Sequence, residues 1–295
     1  MKIFNTCYDD YANFALDNTK ALQSIGVNAF GLKRVAHPFS YETELGIAND
    51  SEIKAQIEAA DFVQIFHSDI WSARVCEYFK KPYAVYHTGT AYRNSPDEYN
   101  QMFNSAKLVM TDQTEFLSLG NMKYIATAID TNKIKPIPKL INIAHYPSNS
   151  NVKGTSEIIE MMSELNIPFE YSTKIVQHNA QLQRVGECEI YIELFKPELN
   201  GKPYGCFGVS AFEAAAMGCC VITQNINEKV YTDVYGDSPF YLANDKEMFK
   251  FHVQRLFNAQ ENIISLCKLS RQYIVDRHSY KATGQRIINE IKNSL

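Results

Sequence analysis

Tyr204-Gly-Cys-Phe-Gly-Val-Ser-Ala-Phe-Glu213-Ala-Ala-Ala-Met-Gly218-Cys-Cys-Val-Ile-Thr-Gln224 opens as a turn containing Gly205 and Gly208. Val209 to Met217 is rich in alanine, the strongest helix former. Gly218 stands where a helix ends on a left-handed residue. Cys219 to Thr223 is a short apolar run that reads as a buried parallel strand. A glycine turn followed by a helix and a strand presents free N–H groups and the positive end of a helix dipole, which suits an anion. Glu213 lies in the early turns of that helix. Facing a ligand, its carboxylate accepts two hydrogen bonds from a vicinal diol; facing away, it complements the dipole. The residues alone leave both roles open.

The 295 residues suit two domains of ordinary size. With 45% hydrophobic and 21% charged residues, the chain is long and apolar enough to bury a sizeable core. A net charge of −4 gives no bulk field for nucleic acid or an anionic membrane. The seven cysteines show neither CxxC nor a Cys/His metal spacing, so they read as reduced thiols of a cytoplasmic protein. Met1-Lys-Ile-Phe enters a strand at once, without the pattern of a signal peptide. No apolar run approaches the roughly 20 residues that span a bilayer. Lys268 to Leu295 holds six Lys or Arg against two acidic residues, which allows at most a peripheral membrane contact.

Upstream, the pattern is strand, helix, strand with short links, the mark of a parallel α/β domain. Lys2 to Cys7 is the first strand, a helix runs from about Tyr11 to Ser24, and Val27 to Leu32 is the second strand. Loops at the carboxyl ends of such strands form the ligand crevice. Tyr8 to Asn13, with Asp10 and Asn13, is therefore a candidate wall, although Asp9 and Asp10 also read as a helix cap. The absence of GxGxxG argues against a dinucleotide oxidoreductase. His37 to Tyr41 is an aromatic loop, and Ser51 to Ala60 is a helix capped by Asp50 or Ser51. The strand Asp61 to His67 ends at His67-Ser68-Asp69, and Tyr83 to Tyr86 ends at His87-Thr-Gly-Thr-Ala-Tyr-Arg93. His87 and Arg93 there are either ligand-facing or a structural turn histidine and a solvated arginine.

Thr131 to Lys139, with two prolines and three lysines, reads as a linker. Beyond it, a strand leads into His145-Tyr-Pro-Ser-Asn-Ser-Asn-Val-Lys153-Gly154-Thr155, which opens a helix over 156–165. Cys188 to Glu193 is the strand before the opening stretch. Leu194 to Lys202 reads as a polar, exposed loop, and 225–242 ends in a strand at Phe240. Helices are expected over 245–257, 260–276 and about 280–291. No internal repeat is evident.

Phe207, Gly208, Glu213, Ala214, Gly218, Val221 and Ile222 match the nucleotide-sugar signature of retaining GT-B glycosyltransferases, the mannosyltransferase-like and glycogen-synthase-like group, which the chain resembles. Two positions depart from the signature. Gly205 replaces the first glutamate of the family's Glu-x7-Glu pair, and Cys220 replaces its proline. Gly205-Cys-Phe-Gly208 is close to the Gly-Trp-Tyr-Gly of some members. His87 to Arg93 is similar to the family's His-Gly-Ser/Thr-x-x-Arg segment. Ala128-Ile-Asp130 is similar to its interlobe Gly-Val-Asp, and His145 to Thr155 to its His-x-Pro-Ser…Lys-Gly-Thr segment.

The resemblance implies an α/β GT-B fold, with two Rossmann-like domains facing a central cleft. It places an acceptor-side domain at 1–132, a nucleotide-sugar domain at 139–276, and a terminal helix at 277–295 that packs back on the first domain. It implies a hexosyltransferase-type glycosyltransferase of carbohydrate biosynthesis, acting with retention on a nucleotide-diphosphate sugar. The donor is a UDP-sugar by commonness, with a GDP-sugar as the alternative. In that reading Ser148, Lys153, Gly154, Thr155, Phe207, Gly208, Val209 and Glu213 bind the donor. His87 and Lys153 are catalytic, and Asp10, Asn13, His67 and Arg93 lie on the acceptor side. A glutamate of the loop that starts at Glu193 would replace the carboxylate lost at Gly205. No Asp-x-Asp motif occurs, so neither a metal nor another cofactor is called for. The acceptor, whether glycan, lipid, protein or metabolite, is not specified, and nucleic acid is not expected. A non-catalytic nucleotide-sugar-binding protein and a sugar-nucleotide epimerase are the alternatives on the same fold.

Overall fold

The computed structural model describes residues 1–36, 41–259 and 262–295. The aromatic loop expected at 37–41 and the start of the helix expected at 260 fall largely outside them. The chain divides into unit 1, Met1–Asp130 with His278–Leu295, and unit 2, Thr131–Arg277.

Unit 1 holds strands β1 (Lys2–Cys7), β2 (Asn28–Lys33), β3 (Gly46–Ile47), β4 (Phe62–Phe66), β5 (Tyr83–His87), β6 (Leu108–Thr111) and β7 (Lys123–Tyr124). They form one parallel sheet in the order β3-β2-β1-β4-β5-β6-β7. β4 and β5 are buried along their whole length, as a sheet covered on both faces requires. One face carries α1 (Phe14–Ser24), the other α2 (Asp50–Ala59) and α3 (Ile70–Tyr78). The short helices α4 (Gly89–Asn94) and α5 (Pro96–Met102) follow β5.

Local chemistry sets the helix starts. The helix expected from Tyr11 begins three residues later, because Ala12 and Asn13 sit at φ 57° and 55°, outside the helical region. α2 is capped by Asn49 rather than Asp50 or Ser51. The Asn49 side chain accepts from the Glu52 N–H and Glu52 reaches back, which makes a capping box.

In unit 2, β8 (Ile141–His145), β9 (Glu170–Tyr171), β10 (Cys188–Ile192), β13 (Cys220–Thr223) and β14 (Tyr241–Leu242) form a parallel sheet ordered β14-β13-β10-β8-β9. A hairpin of β11 (Glu198–Leu199) and β12 (Lys202–Pro203) stands apart from it. The helices are α6 (Ser150–Lys153), α7 (Thr155–Glu164), α8 (His178–Gly186), α9 (Val209–Ala216), α10 (Glu228–Tyr235), α11 (Lys246–Asn258) and α12 (Ile263–His278). The core centres on Ile143, Ile158, Met161, Ile190, Ile222 and Phe249.

The last helix, α13 (Tyr280–Ser294), belongs to unit 1 and lies on α1. A Cβ on Gly284 would fall 2.2 Å from the Ala21 carbonyl oxygen, so the close approach of the two helices needs glycine there. Tyr280 donates to Asp17 at 2.6 Å across the same contact. All seven cysteines are buried thiols. Among the described residues no helix is long and apolar enough to cross a membrane, and no group of three or more His, Cys, Asp or Glu could hold a metal ion.

Candidate functional site

In unit 2 the Lys153 turn and the glycine turn meet. Gly208 is the N-cap of α9 and supplies no side chain to the first N–H groups of the helix. A Cβ on Gly208 would lie 2.6 Å from Glu193 Oε1 and 2.9 Å from Lys153 Nζ. The absent side chain is thus what lets the lysine and the turn come together. Val209 and Ser210 open α9 beside them.

Glu193 follows β10 and its side chain is fully buried. Lys153 Nζ donates to Oε1, Ser210 Oγ donates to Oε1 at 2.9 Å, and Thr223 Oγ1 donates to Oε2 at 2.6 Å. A buried carboxylate persists only when so supplied with donors. Gly205 itself is at φ +133°, and a Cβ there would press on Gln224 at 3.1 Å, so this backbone does not accommodate the glutamate of the related signature.

Several donor-side expectations change character. Gly154 stands at φ +70°, and a Cβ would collide with the Phe195 carbonyl oxygen at 1.7 Å; the glycine is required by the turn that holds Lys153. Thr155 Oγ1 is committed to His145 Nε2 at 2.9 Å. His145 donates from Nδ1 to the Ile192 carbonyl at 2.8 Å, so its Nε2 is the acceptor. Burial lowers its pKa to about 4 and keeps the ring neutral. The Phe207 ring is 3% exposed and packs edge-on against Tyr231 and Phe240, leaving its backbone alone for a ligand. Ser148 is exposed just before the Asn149 cap of α6.

Glu213 is partly exposed and its Oε1 accepts from His178 Nε2 at 2.7 Å. Burial alone would lower the His178 pKa, but the charge and hydrogen bond of Glu213 outweigh it and raise the pKa. The sequence reading missed His178, because α8 brings together residues 35 apart in the chain.

In unit 1 the strand ends of β1, β4, β5 and β6 gather a polar cluster. His67, at φ 55°, bonds Thr88 Oγ1 through Nδ1 at 2.6 Å, and its Nε2 lies 3.5 Å from Asp10 Oδ1. Asp10 is wholly buried and accepts from the Ala15 and Leu16 N–H groups at 2.7 and 3.0 Å, so it caps α1. Asn13 donates to the Thr43 carbonyl at 2.8 Å. Arg93 is half-buried and not free; its Nε donates to Glu115 at 2.8 Å and it lies over the Phe116 ring.

His87 corrects an expectation. Its ring is 0% exposed, stacks on Tyr92 at 4.4 Å and bonds Ser68 Oγ at 2.8 Å. Burial pushes its pKa down to about 3. The neutral imidazole is enclosed within unit 1 in this conformation, and its Nε2 has no hydrogen-bond partner. Asp112, one residue past β6, went unremarked in the sequence. Burial raises its pKa to about 6, partly offset by hydrogen bonds and by His67 and Arg93, and its Oδ1 has no hydrogen-bond partner. A carboxylate directly after an apolar strand was the available signal.

No family model and no curated protein matches the chain. Solved structures do. HepE of Anabaena in complex with UDP-glucose is similar with a TM-score of 0.72 at 11% identity, over 99% of this chain and 100% of that one. An alpha-glucosyltransferase in complex with UDP and a 13-mer DNA is similar with a TM-score of 0.69 at 12% identity, over 99% and 100%. A Listeria monocytogenes protein provisionally assigned as a UDP-N-acetylglucosamine 2-epimerase gives a TM-score of 0.52 at 10% identity, over 99% and 96%. At such identities the likeness establishes the fold: the two Rossmann-like units of this chain make up a GT-B fold.

Proposed function

We propose that the chain is a glycosyltransferase that moves a sugar from a nucleotide-diphosphate donor to an acceptor hydroxyl. The observation that carries this reading is the meeting of Lys153 Nζ with the Gly208 turn at the uncapped start of α9. A lysine, free helix N–H groups and a side-chain-free turn form a diphosphate cradle. The UDP complexes of similarly folded proteins support a UDP-sugar as the donor.

In this reading the diphosphate lies on Lys153 and on the N–H groups of Val209 and Ser210. The ribose diol donates hydrogen bonds to Glu213, which His178 holds in place. As the glycosidic bond breaks, charge grows on the leaving phosphate, and fixed donors stabilise it without reorganising. Transfer is of a hexosyl unit, with retention and without a metal step. Ser148 adds a hydroxyl at the rim, and Thr155 and Gly154 shape the lysine turn from behind. On unit 1 the acceptor is met by His67, with Asp10, Asn13 and Arg93 fixing the strand ends, while His87 supports them from the core. Seven buried thiols favour a reducing compartment such as the cytoplasm, and the pathway is one of carbohydrate biosynthesis.

The test is incubation of the chain with UDP- and GDP-sugars, with and without an acceptor panel that includes saccharides, lipids and DNA. Nucleotide release that depends on an acceptor is expected. Conversion of the donor sugar without nucleotide release points to an epimerase instead. Binding without any turnover points to a non-catalytic donor-binding protein.

A further inference from the structure

Glu193 places a fixed negative charge directly behind the proposed phosphate-binding lysine. Its three donors come from three elements: Lys153 of α6, Ser210 of α9 and Thr223 of β13. The turn at Gly208 is within contact of both charges, since a Cβ there would touch Oε1 and Nζ alike. Lysine has three N–H donors, and Glu193 takes one. A phosphate on the remaining donors therefore sits about two hydrogen-bond lengths from the Glu193 carboxylate.

The two states of the nucleotide differ in charge at that spot. In a nucleotide sugar each phosphate is a diester carrying one negative charge. In the released nucleoside diphosphate the terminal phosphate ionises a second time near pH 6, as phosphate monoesters do. The product thus carries one more negative charge than the donor. A buried carboxylate a few ångströms away penalises that extra charge, and poor solvent screening magnifies the penalty.

We propose that Glu193, acting through Lys153 without touching the ligand, sets the preference of the site for nucleotide sugar over nucleoside diphosphate and so limits retention of product. This rests on the donor-site reading above. The other titratable groups facing Glu193 do not blur it. His145 is kept neutral by burial, with a pKa of about 4, and Tyr191 is held un-ionised by burial.

The experiment is calorimetric titration of the full chain with UDP and UDP-glucose, and with GDP and GDP-mannose as a second pair. Wild type is compared with Glu193→Gln at pH 8 and pH 5. Gln keeps the volume and can still bond Ser210 and Thr223; should it be unstable, Glu193→Thr removes the same charge. At pH 8 the variant should tighten the diphosphate about tenfold more than the nucleotide sugar, from one unit charge at that distance. At pH 5, where the terminal phosphate gains its proton, the excess should shrink to less than about threefold. Glu193→Asp, which keeps the charge, should keep the wild-type ratio. Equal changes for both ligands at pH 8 would show a merely structural carboxylate and overturn the proposal, as would a shift that persists undiminished at pH 5. If wild type binds neither pair, the donor-site reading itself falls and takes this inference with it.

Discussion

Lys153→Ala tests two consequences of one ion pair. Truncation removes the donor proposed for the leaving phosphate, and it strands the fully buried Glu193 with two hydroxyl partners. Removing one member of a buried pair costs about 3–5 kcal/mol, because the other charge stays uncompensated. For a domain of roughly 150 residues, each kcal/mol shifts the melting midpoint by about 2–4 °C, so the variant should melt at least about 6 °C lower. A single preorganised donor to a developing oxyanion is worth about 10²–10³ in turnover. The two losses separate in Lys153→Ala/Glu193→Gln, where no buried charge is left unpaired. The double variant should recover most of the melting loss and none of the turnover. The assays are a thermal melt and donor-dependent nucleotide release below both midpoints. Recovery of turnover along with stability would refute the catalytic part, and an unchanged midpoint in Lys153→Ala would refute the buried-pair part.

Glu213→Ala should weaken nucleotide-sugar binding by about tenfold or more, the loss of a charged hydrogen-bond acceptor. It should also return the His178 titration, followed by NMR, from its raised position toward or below the ordinary histidine value. An unmoved His178 would break the pairing. Asp112 has a raised pKa, so the neutral form is favoured on folding: its contribution is fully present below the unfolded pKa near 3.8 and is lost as pH rises through about 6. Asp112→Asn should therefore be more stable than wild type at pH 8 and equal to it near pH 4 in denaturant melts, and a pH-independent difference would contradict the assignment. Gly284→Ala should cost about 1–3 kcal/mol through overpacking, because its Cβ meets the Ala21 backbone at 2.2 Å. A wild-type melting midpoint would show that α13 can lift off α1 without loss.

Much of the fold was legible because parallel strands buried on both faces read as short continuous apolar runs, such as Phe62 to Phe66 and Cys220 to Thr223. The misses have physical causes. Ala12 and Asn13 carry no sequence mark of the left-handed turn that delays α1. Asn200-Gly201 did carry one: both residues have positive φ, the backbone of a tight hairpin, yet the segment was read as loop. α10 was passed over, although Tyr231 and Tyr235 are buried at helical spacing. In unit 2 the turns at Lys153 and Gly208 were legible because turn chemistry is local. The partners that define them were not. Glu193 is 40 residues from Lys153, and only the β10–β13 pairing brings Thr223 beside it. His87 misled because position at a strand end says nothing about which way a ring turns, and this one turns into Tyr92 and Phe103.

The central claim is that a nucleoside diphosphate rests on the Lys153 and Gly208 turns. Its most direct measurement is an NMR titration of labelled chain with UDP, read at backbone amides. The account predicts that Gly208, Val209 and Ser210 shift first and together, and that the shifts vanish in Lys153→Ala/Glu193→Gln. Shifts confined to other elements, with those three amides unmoved at saturation, would contradict it.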